Sequence, residues 1–224
     1  MEGPLIIAAI VLAMGGLVTA IIVWSLHVEK KRTEGMREFA GALSLEFFDT
    51  APPEVQSKVN RFQLFNSGRG RAMKNVILGQ TDAVSLTLFD YQYTTGTGKN
   101  ARTYMQTVVA MDSERLQLPE FTMRPEHLFD RIGAAIGLQD IDFEDHPSFS
   151  SMFVLKGTDE AAIRNFFDIP LLDFFVERTG ICFEAAGEMF IYYRASKRQP
   201  PDKMRELLEE GYSVYQAFVE RVSR

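Results

Sequence analysis

Ala83 to Met111 reads AVSLTLFDYQYTTGTGKNARTYMQTVVAM, and this stretch decides the fold. Two arms rich in β-branched and aromatic residues, Ala83–Thr94 and Thr103–Met111, flank Thr95-Gly96-Thr97-Gly98-Lys99-Asn100. Those six residues have the composition of a tight connection, so the spacing predicts an antiparallel hairpin. In the first arm Val84, Leu86 and Leu88 share one parity, whereas Phe89, Tyr91 and Tyr93 fall largely on the other. A strand shows such a switch if it carries a bulge near Leu88 or is covered on both faces. Just upstream, Met73–Leu78 is a further strand candidate, joined through Gly79-Gln80-Thr81-Asp82. Three strands in sequence predict a meander.

Moving toward the N-terminus, Val55 to Thr81 contains no acidic residue but holds Lys58, Arg61, Arg69, Arg71 and Lys74. The Ser67-Gly68-Arg69-Gly70 turn predicts a solvated loop there. Contact with anionic headgroups, by Arg61, Arg69, Arg71 and Lys74 together with Lys30, Lys31 and Arg32 beside the N-terminal apolar run, is the functional alternative, since each basic residue near such a surface contributes about 1 kcal/mol. A short helix is expected near Glu54–Val59, after the Pro52-Pro53 break and a strand at Leu45–Phe48. Before these, Met36, Phe39, Ala40 and Leu43 recur at helical spacing and predict an amphipathic juxtamembrane helix over 29–44, laid on the body or on a membrane.

The chain begins with Pro4 to Leu26 (PLIIAAIVLAMGGLVTAIIVWSL), which holds no charged residue. As a helix these residues extend roughly 34 Å at 1.5 Å each, enough to cross a bilayer core. Trp24 suits the headgroup level, and Lys30, Lys31 and Arg32 follow directly. The run is too long for a cleaved signal peptide and lacks its basic start, so an uncleaved anchor over 1–28 is expected. With no Lys or Arg before the span, the charge rule places the N-terminus outside and the body in the cytoplasm, at the inner (plasma) membrane. Ala9, Ala13, Gly16 and Ala20 lie on one narrow helix face, where small residues favour pairing of two spans into a homodimer.

In the other direction, Leu118-Pro119-Glu120-Phe121 reads as the end of the strand region. Arg124-Pro125-Glu126 then opens a helix with Leu128, Phe129, Ile132 and Ile136 on its apolar face. Ile141 and Phe143 alternate with acids as in a half-exposed strand, and Phe149–Leu155 reads as another strand. Thr158-Asp159-Glu160 caps a helix, and Leu171–Glu177 continues helical after Pro170. Ile181–Ala185 and Met189–Tyr193 form a second hairpin, and after Pro200-Pro201 an amphipathic helix runs through Met204, Leu208, Gly211, Tyr215, Phe218 and Val222. The predicted class is therefore α+β: an N-terminal transmembrane helix, then a soluble domain over 45–224 of antiparallel meander sheet with helices on one side. Two sub-lobes, 45–118 and 119–224, would join near Glu114–Arg124.

Phe149, Phe153, Val154 and Leu155, followed by Asp159 and Arg164, occur here in a particular order of parts. That order is an anchor, a basic helix, a Gly-turn hairpin bearing FDYQY, Leu-Pro-x-Phe, a Glu-x-x-Gly hairpin and a final helix. The arrangement, over about Lys31–Phe218, resembles bacterial membrane-anchored domains of unknown function. The resemblance implies no assigned reaction and no catalytic residue.

Composition limits the chemistry. The chain has 18 Phe, one cysteine, three histidines and a net charge of −6. Residues 29–111 hold 11 Lys and Arg against 8 acids, and 112–224 hold 13 against 21, so the basic half lies nearest the anchor. The net charge argues against nucleic acid as a partner. Cys182, in an apolar run, is expected to be a buried thiol. Gly96-Thr97-Gly98-Lys99-Asn100 lacks the first glycine and the Ser or Thr of a phosphate loop. Asp140 to His146 lacks the glycine and terminal glutamate of a calcium loop. Ligands for structural zinc are too few, and no nucleophile elbow is present. No cofactor is expected. The reading from the residues is a membrane-tethered, non-enzymatic module that binds an unidentified protein partner or the bilayer surface. Its alternative is a small-molecule or lipid-binding domain whose pocket is walled by Phe89, Tyr91, Tyr93 and Tyr104.

Overall fold

The structure, a computed structural model, describes residues 3–127 and 140–223, with side chains from Leu12 onward. One helix, α1, runs unbroken from Gly3 to Ala42, and it is long and apolar enough to cross a membrane. Leu12, Leu17, Ile21, Val23, Trp24 and Leu26 remain open on this helix, between 55% and 76% exposed. Beyond Leu26 its character changes: Met36 and Ala40 are fully buried against the body. The amphipathic segment expected over 29–44 is thus the lower end of the same helix, packed on the domain.

The body is one eight-stranded antiparallel sheet, in the order β1-β2-β3-β4-β8-β7-β5-β6. Its strands are β1 (Glu46–Thr50), β2 (Arg69–Gln80), β3 (Ser85–Thr95), β4 (Arg102–Asp112), β5 (Leu118–Pro125), β6 (Phe153–Gly157), β7 (Cys182–Gly187) and β8 (Met189–Tyr193). The helices are α2 (Pro53–Val59), α3 (Pro147–Met152), α4 (Glu160–Phe166), α5 (Ile169–Val176) and α6 (Met204–Val222). Pairing of β4 with β8 carries the sheet across the Glu114–Arg124 junction, so strands from both sides of that point share one ladder.

The β3–β4 hairpin forms as the sequence predicts, with Tyr93 opposite Tyr104 and Thr95 opposite Arg102. Gly96 adopts φ +69°, and a Cβ there would collide with the Asn100 carbonyl, so this turn needs glycine. Between β3 and β4 the register is continuous, while on the other side β2 is irregular between Lys74 and Ile77, opposite Leu88–Asp90; the parity switch marks a strand buried on both faces beside that irregularity. Leu88 belongs to the core beneath α1 and α4–α6, whereas Phe89, Tyr91 and Tyr93 belong to a second core beneath α2 and the 3-10 turn Gln63–Asn66. Helices therefore cover both faces, not one. The larger core centres on Phe218 of α6, whose ring lies 5.2 Å from Phe190 and 5.5 Å from Phe166.

Several local expectations are corrected. Arg69 and Arg71 lie on β2 and not in a loop, because the strand expected from Met73 starts earlier, where pairing with β3 supplies the ladder that turn chemistry concealed. Leu118–Phe121 does not end the strand region: it begins β5, whose alternate residues Phe121 and Met123 are buried and which pairs with both β6 and β7. Arg124 and Pro125 close that strand instead of opening a helix, while Leu128, Phe129, Ile132 and Ile136 lie outside the described residues. Ile141–Glu144 forms no strand, although the Ile141 N–H donates to the Leu155 carbonyl at 2.8 Å. The segment read as one strand over Phe149–Leu155 divides in two. Pro147 starts α3, capped by His146 Nδ1 accepting from the Phe149 N–H, and only Phe153 onward is strand. The capped helix after Asp159, the helix after Asp168, the second hairpin and the terminal helix are present.

Candidate functional site

The point where α1 meets the sheet holds the densest polar network of the described residues. β3 alternation directs Asp90 to the same side as Leu86 and Leu88, beneath the helix. A carboxylate there must be paired, since an isolated buried charge is costly. Arg32 of α1 grips it through two bonds of 2.6 Å, from Nε to Oδ2 and from Nη2 to Oδ1. Arg198 approaches from the β8–α6 connection at 3.3 Å, Asn75 donates at 2.9 Å and the Thr107 hydroxyl at 3.1 Å. Asn75 also accepts from the Thr33 hydroxyl, and Arg32 donates to the Gln199 carbonyl. Nearer the apolar run, Arg198 holds Glu29 through bonds of 2.6 and 2.9 Å.

Burial alone would raise the Asp90 carboxyl, but the Arg32 and Arg198 guanidinia and the Asn75 amide hold it below its usual range. Glu29 is likewise lowered, chiefly by its bonds to Arg198. The result is a fully ionised clamp of two carboxylates and two guanidinia. It joins the helix to β2, β3, β4 and the segment before α6. Only Val28 and His27 separate Leu26 from Glu29, the first clamp residue, so the apolar run and the body are coupled without a flexible linker.

A second buried carboxylate, Glu184 on β7, lies on the opposite face. It accepts from the Leu64 N–H at 3.1 Å, from Arg124 at 3.4 Å and from the Tyr193 hydroxyl at 3.4 Å. Complete burial raises its pKa despite the Arg124 charge and the backbone donors. Beside it a cavity of about 380 Å³ opens between the 3-10 turn and β5–β7, with Phe62, Phe121, Ala185 and Ala186 among its walls and Arg61 and Lys156 at its polar parts. A larger cleft of about 950 Å³ is lined by Asp140, Asp142, Glu144, His146, Arg164 and Ile169. No group of three or more His, Cys, Asp or Glu among the described residues is arranged to hold a metal ion. The two nitrogens of His146 are engaged, one by the Phe149 N–H and the other by Asp173 at 3.0 Å. Burial pushes the Cys182 thiol up to about 12, far from a reactive thiolate.

The residues proposed from sequence are dispersed. Pro4 and Leu26 bound the apolar run of α1. Ala13, Gly16 and Ala20 are exposed on it, and the Ala9 side chain lies outside the described set. Lys30 and Lys31 are exposed, whereas the Arg32 side chain is only 11% exposed and turned into the clamp. Arg69 donates to the Gly96 carbonyl and Arg71 to the Phe65 carbonyl. Lys58 pairs with Asp112 at 3.0 Å, at the far end of β4, and Arg61 stands at the 380 Å³ cavity. Lys74 is exposed on β2. The aromatic set is core: Tyr91 and Tyr93 are 2% exposed, and Phe65 packs edge-on to Tyr91 at 4.8 Å. Only Tyr104, stacked on Tyr93 at 5.2 Å, reaches the rim. Sequence reasoning missed Asp90, Arg198 and Glu184. For Asp90 a signal existed, because a carboxylate continued the apolar parity of Val84, Leu86 and Leu88.

The arrangement defines a class: an α+β body fused rigidly to one long apolar helix. No protein-family model matches the chain, and no curated protein sequence matches it. Among solved structures it is similar to the crystal structure of the mycobacterial trehalose monomycolate transport factor A, TtfA. The TM-score is 0.59 at 12% sequence identity, covering 85% of this chain and 94% of that one. At that identity the two share a fold.

Proposed function

We propose that this chain is a single-pass membrane protein without catalytic activity, whose body is held at the bilayer surface and assists the transport of an amphipathic lipid. The carrying observation is the clamp. Glu29 and Arg32, immediately after the apolar run, are locked by Arg198 and Asp90, so the body cannot swing away from the surface at which α1 emerges. The similarity to TtfA, described as a transport factor, favours lipid handling over general protein docking. The aromatic-walled pocket does not carry this reading, since Phe89, Tyr91 and Tyr93 are core. The cavity beside Glu184, with Phe62 and Ala186 in its wall, supplies the amphipathic chemistry instead. The basic residues after the span favour a cytoplasmic body.

Extraction of the full chain from its native membrane in polymer-bounded discs, followed by lipid mass spectrometry, tests the proposal. One polar lipid class should be enriched over bulk membrane, and the Ala186→Trp variant, which places an indole on the cavity side of β7, should lose that enrichment. Bulk lipid composition around the wild-type chain would overturn the lipid reading and leave the surface-binding module.

A further inference from the structure

We propose that the tip of the β3–β4 hairpin is a second membrane contact, with Lys99, Arg102 and Arg69 reading anionic lipid headgroups of the leaflet from which α1 emerges. The argument rests on the chain being membrane-anchored but not on which lipid it helps to move.

The geometry comes from the relation of α1 to the strands. Glu29 lies beside Ala72, Gln92, Met105 and Arg198. At the other end Leu45, just past the helix, packs over Gly79 of β2. From 29 to 42 the helix therefore runs alongside β2, in the same direction and along most of its length. Strands advance about 3.3 Å per residue and helices about 1.5 Å. From the level of Glu29 back to Leu26, where the apolar run ends, is therefore roughly 4.5 Å. From Gln92 to Thr95 is about 10 Å in the same direction, and Arg69, level with Thr94 across a bulge in β2, lies about 7 Å along it. The hairpin tip thus extends roughly 5 Å past the level of Leu26, which is the depth of the headgroups that Trp24 marks on the helix.

The chemistry of the tip suits that position. Residues 96–102 are all exposed. Between Tyr91 and Met111 the sequence has no acidic residue, and neither does Val55 to Thr81, which contributes Arg69. Arg69 donates to the Gly96 carbonyl and so joins its charge to the turn. Lys30 and Lys31 stand exposed on the helix at a similar level. Acids near this end are neutralised inside the clamp, Asp90 by Arg32 and Glu29 by Arg198. Each Lys or Arg at an anionic surface favours contact about fivefold, and salt screens the effect. Of the basic run read from sequence, only Arg69 belongs to this tip; Lys58 is paired with Asp112 at the opposite end of the sheet.

The test uses the full chain in nanodiscs, with an environment-sensitive fluorophore at Thr97→Cys in the tip or at Asp82→Cys in the distal turn; Cys182 is buried and stays unlabelled. The quenchers are phosphatidylglycerol or phosphatidylcholine carrying a shallow nitroxide. The Thr97 probe should be quenched by both lipids, more strongly by phosphatidylglycerol at low salt, and the Asp82 probe by neither. Lys99→Gln with Arg102→Gln should reduce the phosphatidylglycerol preference at Thr97 by more than half and leave the melting temperature unchanged. A Thr97 probe as unquenched as the Asp82 probe would overturn the geometry. Equal quenching by the two lipids in the wild type, or a lipid preference undiminished in the double variant, would overturn the charge reading.

Discussion

Replacing Asp90 by Asn keeps the shape of the side chain but removes the charge on which Arg32 and Arg198 converge. Asp90 is 8% exposed and Arg32 11%, so two guanidinia would remain buried against a neutral amide. Removing one partner of a buried ion pair costs about 3–5 kcal/mol. Here the lower value applies, about 3 kcal/mol, because Arg32 keeps the Gln199 carbonyl and Arg198 keeps Glu29. For a domain of this size that lowers the melting temperature by about 6–12 °C, read by circular dichroism of the full chain in micelles. Hydrogen exchange should show the loss concentrated in residues 29–42, which undock before the sheet opens. The pH dependence follows from the depressed Asp90 carboxyl, whose ordinary value is 3.8. Its contribution is complete above that value and is lost as acid carries the carboxyl through its lower folded value. The difference between wild type and Asp90→Asn should therefore hold steady at neutral pH and close only in strong acid. A melting shift under a third of that expected, with exchange across 29–42 unchanged, would refute the clamp.

Three further outcomes are expected. In Gly211→Ala, a Cβ would stand 2.8 Å from Tyr192 Cε1 and 3.0 Å from Met111 Cε; the overpacking of about 1–3 kcal/mol outweighs the helix gain of about 1 kcal/mol, so the urea midpoint should fall. Cys182, buried and raised to about 12, should resist thiol reagents at neutral pH until the body unfolds, and prompt labelling of the native chain would contradict its placement. We propose that Ala13, Gly16 and Ala20 form a pairing face, so Ala13→Leu with Gly16→Leu should weaken self-association in a transmembrane reporter assay; an unchanged signal would remove that face.

Legibility followed the range of the physics. Local chemistry was readable wherever one interaction dominates: the β3–β4 turn by its glycines, the α4 start by Asp159 accepting from the Ala162 N–H, and α6 by its apolar spacing. It failed where pairing partners decide. Pro119 read as part of the end of the strand region and Pro125 as the first turn of a helix, yet β5 is strand because β6 and β7 flank it. Met152 and Phe153 are adjacent, but one ends a helix capped from His146 and the other begins a strand beside β5.

The candidate sites divide in the same way. Sequence alone determined the apolar helix, the α+β class and the meander around Ala83–Met111, because these depend on hydrophobic period and composition. Tertiary structure decided that the two halves share one sheet, that both faces are covered, and that the tyrosines of FDYQY fill a core. It also decided that Arg32 is half of a clamp. Whether a basic residue meets lipid or a carboxylate depends on what the fold brings within 3 Å of it, and Asp90 and Arg198 come from positions 58 and 166 residues farther along the chain. That distance in sequence carries no periodic signal; only the antiparallel register of β2, β3 and β4 beneath α1 turns it into contact.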